Sequence, residues 1–406
     1  MNILAINCGS SSIKYQFVQM KEKKEKVLAK GLIERIGKKS SFQIHFINGR
    51  TVQKKGEVKD HRKGLRKILE LLTNKDNGVI KDISEISAVG HRVVHGGEKF
   101  VNSILIDDKV VEAIHIYTSL APLHNPPNLT GIEISLSLLP NVPQVAVFDT
   151  AYHQTIPPRA FLYALPYEYY EKYKIRRYGF HGTSHRYVAQ KAAEFLNLPI
   201  DDLRIITCHL GNGCSITAVN KGNSIDTTMG FTPLEGLVMG TRCGDIDPGV
   251  ILFLMEKEKI GPKQMNNILN RQSGIMGISG VSNDIRDVKK EAQKGNEKAK
   301  IALEIFTYRI KKYIGAYSAV LGGIDVLVFT GGIGENATDI RGMICEGLEF
   351  LGIQLDKRKN NKNTQNEIRI ISKKDSSVKV LVVPTDEEKI IAQETWRIVQ
   401  KLATRK

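Results

Sequence analysis

Cysteines are few in this sequence and long hydrophobic runs are absent, and each of these two features excludes a class of protein. The 406 residues include one tryptophan and five cysteines, and no two cysteines stand in a C-x-x-C spacing. We therefore expect neither a disulfide framework nor a zinc site of that type, and a reducing compartment. No apolar stretch approaches the ~20 residues of a membrane span, and the first residues lack the pattern of a secretory signal. These absences predict a soluble, cytoplasmic protein.

The composition is that of an ordinary globular protein with an uneven distribution of charge. It is 41% hydrophobic and 25% charged, and its length suggests two domains. The formal net charge is +16, but residues 20–75 hold 17 Lys or Arg against 6 Asp or Glu, and residues 357–374 hold 7 against 1. A basic protein could bind nucleic acid or an anionic membrane. Because both segments have few aromatics and no nucleic-acid-binding motif, we interpret them as solvated surface.

Alternating strand and helix patterns predict a mixed α/β fold. Residues 186–197, 297–321 and 387–402 have helical periodicity, and in 297–321 the apolar residues Leu303, Phe306, Ile310, Tyr313, Tyr317 and Val320 form one buried face. Thr183 and Ser184 are the expected N-caps of the first of these helices. Short apolar runs predict strands at residues 3–6, 13–18, 86–94, 144–148, 204–208, 215–219, 325–329 and 379–383.

Two strand–turn–strand segments resemble each other in pattern. Residues 3–18 and 204–219 each place small or polar turn residues between two strands, which indicates either two related domains or a coincidence of two ordinary turns. Such turns expose backbone N–H groups that bind phosphate. Ser10, Ser12 and Lys14 add further donors to the first turn, and Gly211 and Gly213 open the second. A third candidate loop, Gly331–Asn336, follows a strand.

The sequence has neither a G-x-x-x-x-G-K-[ST] loop nor a G-x-G-x-x-G after its first strand, which excludes those nucleotide-binding motifs. It has instead several polar clusters in apolar surroundings: residues 91–97, 124–128, 147–150, 178–185 and 240–248. Arginines that neutralise a moving phosphoryl group and an acid that holds a metal or the nucleophile are what phosphoryl transfer requires. These residues also have ordinary structural interpretations: Arg92 and Arg242 as ion-pair partners, Asp149 as a turn cap, and His91, His95 and His185 as hydrogen-bonded structure.

Ten motifs resemble those of the acetokinase family, within the superfamily of acetate and sugar kinases, heat-shock ATPases and actin. They are NCGSSSIKY, GHRVVHGGE, LAPLHNPPNL, VFDTAYH, RYGFHGTSH, HLGNGCSI, DTTMGFTPLEG, GTRCGDIDPG, FTGGIGEN and PTDEE. The resemblance implies two ribonuclease-H-like domains, 1–150 with 385–406 and 151–384, an active-site cleft between them, and a homodimer. It also implies reversible, magnesium-dependent phosphoryl transfer from ATP to acetate, with Mn²⁺ as a substitute metal.

The resemblance assigns roles residue by residue. Arg92 and Arg242 would clamp the acetate carboxylate and the phosphoryl group, and His181 would hydrogen-bond the phosphoryl oxygens. Asp149 stands at the acid/base position, but a carboxylate substrate is already deprotonated, so we expect it to position metal and nucleophile. Asn7 and Glu387 match the magnesium positions, with Glu388 as the alternative to Glu387. The residues that match nucleotide or phosphate positions are Ser10, Ser12, Lys14, His209, Leu210, Gly211, Asn212, Gly213, Asp284, Ile285, Arg286, Gly332, Ile333, Gly334, Glu335 and Asn336.

By the same resemblance, Val94, Leu123, Phe180 and Pro233 would surround the methyl group of acetate, and His124 is a further active-site histidine. Valine at position 94 leaves little room, so propionate should be a poorer substrate rather than an excluded one, since one methylene changes discrimination by only ~1–3 kcal/mol. Cys214 and Cys243 depart from the family pattern. Because Cys243 follows Arg242 in the sequence, nearby positive charge would favour a thiolate there, with modest sensitivity to thiol reagents that nucleotide protects against. The alternative, an inert small apolar side chain, is the outcome that we favour.

Overall fold

The chain divides into two compact units. The computed structural model describes residues 1–21, 24–47, 49–119, 121, 124–362, 364 and 367–403. Unit 1 comprises Met1–Ala151 and the C-terminal segment that begins at Asp386, and unit 2 comprises Tyr152–Thr385.

The strands belong to two sheets, one in each unit. In unit 1 they are β1 (Asn2–Gly9), β2 (Ser12–Lys21), β3 (Lys24–Glu34), β4 (Ser41–Ile47), β5 (Arg50–Gly56), β6 (Ala88–Val93), β7 (Ile104–Leu105) and β8 (Gln144–Phe148). In unit 2 they are β9 (Arg204–Leu210), β10 (Cys214–Asn220), β11 (Asn223–Thr227), β12 (Val326–Thr330), β13 (Arg369–Ile370) and β14 (Lys379–Val382).

The helices are interspersed with these strands. They are α1 (His61–Leu72), α2 (Asp108–Ile116), α3 (Asn125–Leu138), α4 (Pro158–Phe161), α5 (Glu168–Tyr173), α6 (Gly182–Leu196), α7 (Pro248–Lys257), α8 (Pro262–Asn267), α9 (Gly274–Ser279), α10 (Ile285–Gln293), α11 (Glu297–Leu321), α12 (Gly331–Asn336), α13 (Thr338–Cys345), α14 (Lys357–Asn361) and α15 (Glu387–Ala403).

The two sheets share one strand pattern. In unit 1 the order is β5-β4-β3-β2-β1-β6-β8-β7, and in unit 2 it is β11-β10-β9-β12-β14-β13. In each, an antiparallel meander, of five strands in unit 1 and three in unit 2, is followed by two strands parallel to the first strand of the meander. The two hairpins that resemble each other in sequence, β1–β2 and β9–β10, occupy equivalent positions in the two sheets.

Strand alternation explains how the sheet of unit 1 is covered. Ile3 and Ala5 of β1 point to one face, where they pack with Ile391 and Ala392 of α15. Leu4 and Ile6 point to the other face, where the apolar side of α1, including Leu65 and Ile68, completes a second core. The core strands β1, β6 and β8 are therefore apolar on both faces, as expected for buried parallel strands.

The structure corrects several local predictions. Val320 of α11 is 53% exposed, because Leu321 takes the buried position at that end of the helix. The segment 124–128, interpreted as a loop, begins α3 with proline in its first turn, where the missing N–H costs nothing. The loop 331–336 is the short helix α12.

The start of α6 also differs from the prediction. Its N-cap residue is His181, and Thr183 and Ser184 lie in its first turn. The basic segment 20–75 contains β3–β5 and α1, elements that the sequence analysis did not predict, and lysines on them such as Lys30, Lys54 and Lys55 are exposed. Across the described part of the chain, no helix is both long and apolar enough to cross a bilayer.

Candidate active site

In unit 1, candidate residues collect at the carboxyl ends of the parallel strands β1, β6 and β8. This is the edge where open α/β sheets bind their ligands. Ser10 and Ser11 form the two-residue turn between β1 and β2, and Asn7 and Lys14 are direct register partners across that hairpin. The Asn7 side chain is half-buried and makes no hydrogen bond to another described residue. Its amide oxygen is therefore available to a ligand.

Arg92 and Asp149 form the closest ion pair of this edge. Arg92 lies near the end of β6, and Asp149 directly follows the neighbouring strand β8, so strand register brings them together. The Nε and Nη2 atoms of Arg92 donate to Asp149 Oδ2 at 3.0 and 2.5 Å, and Glu387 Oε2 lies 4.0 Å from Arg92 Nε. Burial acts to lower the pKa of Arg92, but Asp149 and Glu387 outweigh it and raise that pKa above its ordinary value.

A second ion pair stands at the N-terminus of α15. Lys14 Nζ lies 2.8 Å from Oε2 of Glu388, whose side chain is only 1% exposed. Burial raises the pKa of Glu388 despite the attraction of Lys14. Its Oε1 atom is buried without a hydrogen-bond partner in the described chain. Lys14, Arg92, Asp149, Glu387 and Glu388 together are called the unit 1 charge cluster below.

The remaining predicted residues of unit 1 lie beside Arg92 in sequence or at the start of α3. Val94 is buried, and its backbone N–H donates to Asn128 Oδ1 at 3.0 Å. His124 is the N-cap residue of α3, and its side chain makes no capping hydrogen bond. Leu123 lies outside the described residues.

In unit 2, His181 stands at the N-terminus of α6 in a left-handed conformation, with φ of 55°. Its Nδ1 atom lies 2.9 Å from Ser215 Oγ, which also contacts Nε2 of His185 at 2.7 Å. The rings of His181 and His209 stack with centroids 4.4 Å apart. Burial, followed by the neighbouring histidines, lowers the pKa of His185 far below its ordinary value, so that ring is a neutral support. The structural interpretation of His185 thus fits its surroundings.

Arg242 is the opposite of Arg92 in its environment. It is half-buried, its Nη1 donates to the Pro233 carbonyl oxygen at 3.3 Å, and it has no carboxylate partner among the described residues. Burial lowers its pKa from the ordinary value of 12.5. A Cβ at Gly213 would lie within 3.6 Å of both Arg242 and His181, which places these two side chains beside the β9–β10 turn.

Three separate stretches of unit 2 meet around one cavity of about 500 Å³. Gly211 and Asn212 come from the β9–β10 turn, residues 284–286 begin α10, and residues from α12 complete the wall. The predicted residues that line the cavity are Gly211, Asn212, Asp284, Ile285, Arg286, Gly332, Ile333 and Asn336. His209, Leu210, Gly213, Gly334 and Glu335 do not line it. Its size is typical of a site for a small organic ligand.

The glycines of α12 allow close packing under this cavity. Gly331 has φ of 77°, and a Cβ there would lie 2.7 Å from the Leu210 carbonyl oxygen. Only glycine fits this position without strain. Glu335 does not face the cavity but accepts hydrogen bonds from the backbone N–H groups of Gly331 and Thr385, at 3.0 and 3.1 Å. Glu335 therefore shapes the helix.

Phe180 and Pro233 lie in different parts of unit 2. Phe180 is buried, and its carbonyl oxygen is 3.0 Å from His153 Nε2. Pro233 is half-buried and contributes its carbonyl oxygen to Arg242.

At Cys243 the surroundings favour the inert thiol over the thiolate. Burial raises the pKa of the Cys243 thiol above 9.0, and Asp245 adds to the increase. It is Cys214, fully buried with a pKa raised to about 12, that feels the charge of Arg242. Proximity to Arg242 in sequence therefore did not translate into an electrostatic effect on Cys243.

Comparison with known proteins identifies the family. The sequence model of the acetokinase family matches residues 2–393. The chain belongs to the acetokinase family. A protein of Thermoanaerobacterium thermosaccharolyticum called acetate kinase is 59% identical over 403 residues, which are 99% of this chain and 100% of that protein.

Solved structures of acetokinase relatives share the fold. The acetate kinase of Porphyromonas gingivalis matches with a TM-score of 0.92 and 48% identity, covering 98% of this chain and 99% of that one. A propionate kinase from Francisella tularensis matches with a TM-score of 0.90 and 43% identity, covering 98% and 99%. This chain therefore has the two-domain, actin-like ATPase fold of the acetokinase enzymes.

The unit 1 charge cluster also fits a magnesium ion. No group of three or more His, Cys, Asp or Glu able to hold a metal occurs in the described residues. Mg²⁺ commonly takes only one or two carboxylates, with water and substrate phosphates completing its shell. Asn7, beside this cluster, and Glu387 carry hard oxygens of that kind, and Oε1 of Glu388 is buried without a hydrogen-bond partner among the described residues, which is compatible with a further cation at this edge.

Sequence reasoning missed residues that line the cavity of unit 2 or hold α12, which forms part of its wall. Arg341 is fully buried and donates to the carbonyl oxygens of Gly334 and Glu335 at 2.7 and 3.0 Å. Its Nε also donates to Asn360 Oδ1 at 2.8 Å. Lys289 and Asn283 line the cavity of about 500 Å³. The only sequence signal for Arg341 was a charged residue within an apolar helical pattern.

Proposed function

We propose that this enzyme catalyses the reversible, magnesium-dependent transfer of a phosphoryl group from ATP to acetate, giving acetyl phosphate and ADP. The observation that carries the proposal is Arg242: a half-buried cation without a carboxylate partner among the described residues, next to His181 and the β9–β10 turn. A desolvated guanidinium needs an anion. Acetate and the transferring phosphoryl group both satisfy it.

The transfer is direct and in line. An acetate oxygen attacks the γ-phosphorus, a new P–O bond forms, and the bond to the β–γ bridging oxygen breaks with its electron pair leaving on ADP. Arg92 and Arg242 neutralise charge on the carboxylate and the phosphoryl group, and His181 hydrogen-bonds the phosphoryl oxygens. No proton has to be abstracted, because acetate is ionised near neutral pH.

Asp149 acts by position rather than as a base. Its contacts with Nε and Nη2 of Arg92 fix the plane of the guanidinium. This orientation leaves the rest of the Arg92 fork available for the substrate anion. Magnesium, held by Asn7 and Glu387 or alternatively Glu388, would supply charge neutralisation for the nucleotide phosphates.

The cavity bounded by the β9–β10 turn, α10 and α12 is proposed to hold the nucleotide. The backbone N–H group of Gly332 can approach phosphates closely, whereas the Gly211 N–H already donates to the Gly213 carbonyl oxygen at 3.1 Å. Lys289 lies in the wall of the cavity and pairs with Asp339 at 2.7 Å. Ser10, Ser12 and Lys14 of unit 1 are proposed to contact phosphate as well.

Acyl-chain preference is proposed to favour acetate over longer acids. Val94 and Phe180 are each buried, so neither can withdraw readily to admit another methylene. Leu123 and Pro233 are the other proposed members of the methyl pocket. Propionate is the second candidate substrate, because a propionate kinase is 43% identical.

A hydroxamate assay of acyl phosphate formation with acetate, propionate and butyrate tests the reaction. We expect kcat/KM to fall from acetate to propionate to butyrate, by roughly 10-fold or more per methylene. Comparable values for butyrate and acetate would contradict the proposed pocket. No acyl phosphate from any of the three acids would overturn the proposed reaction.

Arginine variants test the assigned roles. Arg92→Ala and Arg242→Ala should each lower kcat/KM by roughly 100-fold or more while the protein stays folded. Arg358→Ala is the matched control, since this arginine is exposed at α14. A near-wild-type rate for Arg92→Ala or Arg242→Ala would reject the role of that residue.

We further propose a homodimer with α7 in its interface. Every residue of α7 is at least partly exposed, although it carries Val250, Leu252 and Phe253 with exposures of 39, 69 and 56%. Exposed apolar faces of this kind mark protein interfaces.

The two units are proposed to be the ribonuclease-H-like domains. The five free thiols support a reducing compartment such as the cytoplasm.

A further inference from the structure

Arg242 lies in a segment without helix or strand, so its position depends on how that segment is fastened. Residues 231–247 have neither helix nor strand. The side chain itself has only weak support, from the Pro233 carbonyl oxygen at 3.3 Å and the Met239 sulfur at 3.7 Å. The backbone at Arg242 is itself fastened: the Met239 N–H donates to the Arg242 carbonyl oxygen and the Cys243 N–H donates to the Leu269 carbonyl oxygen, each at 3.1 Å. The ends of the loop are held by other residues.

Asp245 closes this segment into a loop. Its backbone N–H donates to the Gly236 carbonyl oxygen at 2.9 Å, and its Oδ1 accepts from the Gly236 N–H at 2.8 Å. The two backbone segments at 236–237 and 244–245 lie so close together that a Cβ on Gly244, where φ is 69°, would be 2.5 Å from the carbonyl oxygens of Gly236 and Leu237. Asp245 thus joins both ends of the stretch that contains Arg242.

Tyr313 connects the closed loop to the long helix α11. Its hydroxyl donates to the other oxygen of Asp245, Oδ2, at 2.5 Å. Burial, together with Asp245, raises the pKa of Tyr313 above its ordinary value of 10.0, so this hydroxyl keeps its proton at physiological pH. Both oxygens of Asp245 are thereby engaged, one by the loop and one by the helix.

We propose that Tyr313 and Asp245 are positioning residues for Arg242, which hold its guanidinium where it meets the substrate anion. The inference rests on the proposed function, because it gives Arg242 a role in the reaction. Neither residue needs to touch the substrate. Their effect is transmitted through the Gly236–Asp245 closure, and a displacement of about 1 Å at a catalytic group can cost roughly 100-fold in rate.

The decisive variant is Tyr313→Phe, with Tyr317→Phe as its matched control. Tyr317 lies one turn further along α11, and its hydroxyl makes only a 3.4 Å contact, to Asp226. We expect Tyr313→Phe to lower kcat/KM for acetate roughly 10-fold or more, with the dissociation constant of ADP unchanged. Tyr317→Phe should leave both values near wild type. Equal effects of the two variants would overturn the proposal.

A double-mutant cycle shows whether Tyr313 acts through Arg242. In the Arg242→Ala background, Tyr313→Phe should cause no further loss of kcat/KM, because there is no guanidinium left to position. A further loss equal to that in the wild-type background would contradict the proposal. If Asp245→Ala folds, it should lower kcat/KM at least as much as Tyr313→Phe does, because it removes the hydrogen bonds of the Asp245 carboxylate to both Gly236 and Tyr313.

The outcomes separate this proposal from the proposed function. If Arg242→Ala is inactive and Tyr313→Phe resembles Tyr317→Phe, positioning by Tyr313 is wrong while the role of Arg242 stands. If Arg242→Ala retains full activity, the assigned role of Arg242 fails first. Thermal unfolding of each variant shows whether a lost rate reflects lost folding.

Discussion

The two arginines of the candidate site differ in how their partly buried charge is balanced. Arg92 is neutralised within the protein by Asp149, whereas Arg242 has no carboxylate partner in the described chain. An unpaired cation costs free energy when it is buried, and a bound anion removes that cost. The two arginines therefore suit different tasks. Asp149 holds the Arg92 guanidinium in a fixed plane, whereas a bound anion would remove the free-energy cost of the unpaired Arg242.

Arg341 gives the sharpest prediction at this scale. Arg341→Met removes the donors to the carbonyl oxygens of Gly334 and Glu335 and to Asn360 in a fully buried place. Each unsatisfied buried acceptor costs about 1–3 kcal/mol. We expect the free energy of unfolding, measured in urea, to fall by about 3 kcal/mol or more.

Arg358→Met is the control for that measurement. Arg358→Met is the same substitution, made at an arginine of α14 whose side chain is exposed. Its unfolding free energy should stay within about 0.5 kcal/mol of wild type. A similar small change for Arg341→Met would show that its hydrogen bonds contribute little.

At the scale of elements, α12 depends on one glycine and not on its neighbour. Gly331→Ala places a Cβ 2.7 Å from the Leu210 carbonyl oxygen at a φ of 77°, so we expect a loss of about 2 kcal/mol or more in unfolding free energy. Gly332→Ala meets nothing within 4 Å and lies within the helix. It should be neutral or stabilising by up to about 1 kcal/mol. Equal effects in urea unfolding would refute this description of α12.

The exposed face of α7 predicts a change in association state. Leu252→Lys places a charge on a side chain that is 69% exposed and apolar, and it should shift the protein from a dimer to a monomer of about 45.3 kDa in sedimentation. Glu256→Lys changes charge on the same helix without removing apolar surface. It should leave the dimer intact. Dimers of equal stability in both variants would exclude α7 from the interface.

At the scale of the whole molecule, buried histidines predict acid sensitivity. Burial lowers the pKa of His45, His91 and His153 to about 4, and that of His95 to about 3, from 6.5. Between pH 6.5 and 4 the unfolded chain therefore binds more protons than the folded chain. Stability is complete above pH 6.5 and falls as pH decreases, and each of these histidines contributes about 1.4 kcal/mol to the loss for every pH unit in that window.

Urea unfolding at several pH values measures this dependence. His91→Gln should lower the slope of unfolding free energy against pH between 6.5 and 4, whatever its effect at pH 7.5, because one proton fewer is taken up on unfolding. His115→Gln changes an exposed histidine and should leave the slope unchanged. An unchanged slope in His91→Gln would show that His91 does not contribute.

Much of the fold was predictable because local patterns were strong. The apolar run of β12 and the capped helix α11 appear at their predicted places, since periodicity and capping are properties of neighbouring residues. The predictions failed where tertiary packing decides. Val320 fits the helical period but is exposed, and the strands β3–β5 were not predicted because their exposed lysines hide the apolar alternation.

The sequence by itself determined the family, the motifs and the residue types that suit anion chemistry, because each of these is written in short, contiguous stretches. The tertiary structure decided which stretches meet. It joined residues 211–212, 284–286, 332–333 and 336 around one cavity, paired Arg92 with Asp149, and fastened the Arg242 loop to α11 through Asp245 and Tyr313. Arg92 and Asp149 are 57 positions apart in the chain, and Asp245 and Tyr313 are 68 apart. Such pairings follow from sheet register and helix packing, which no local pattern encodes.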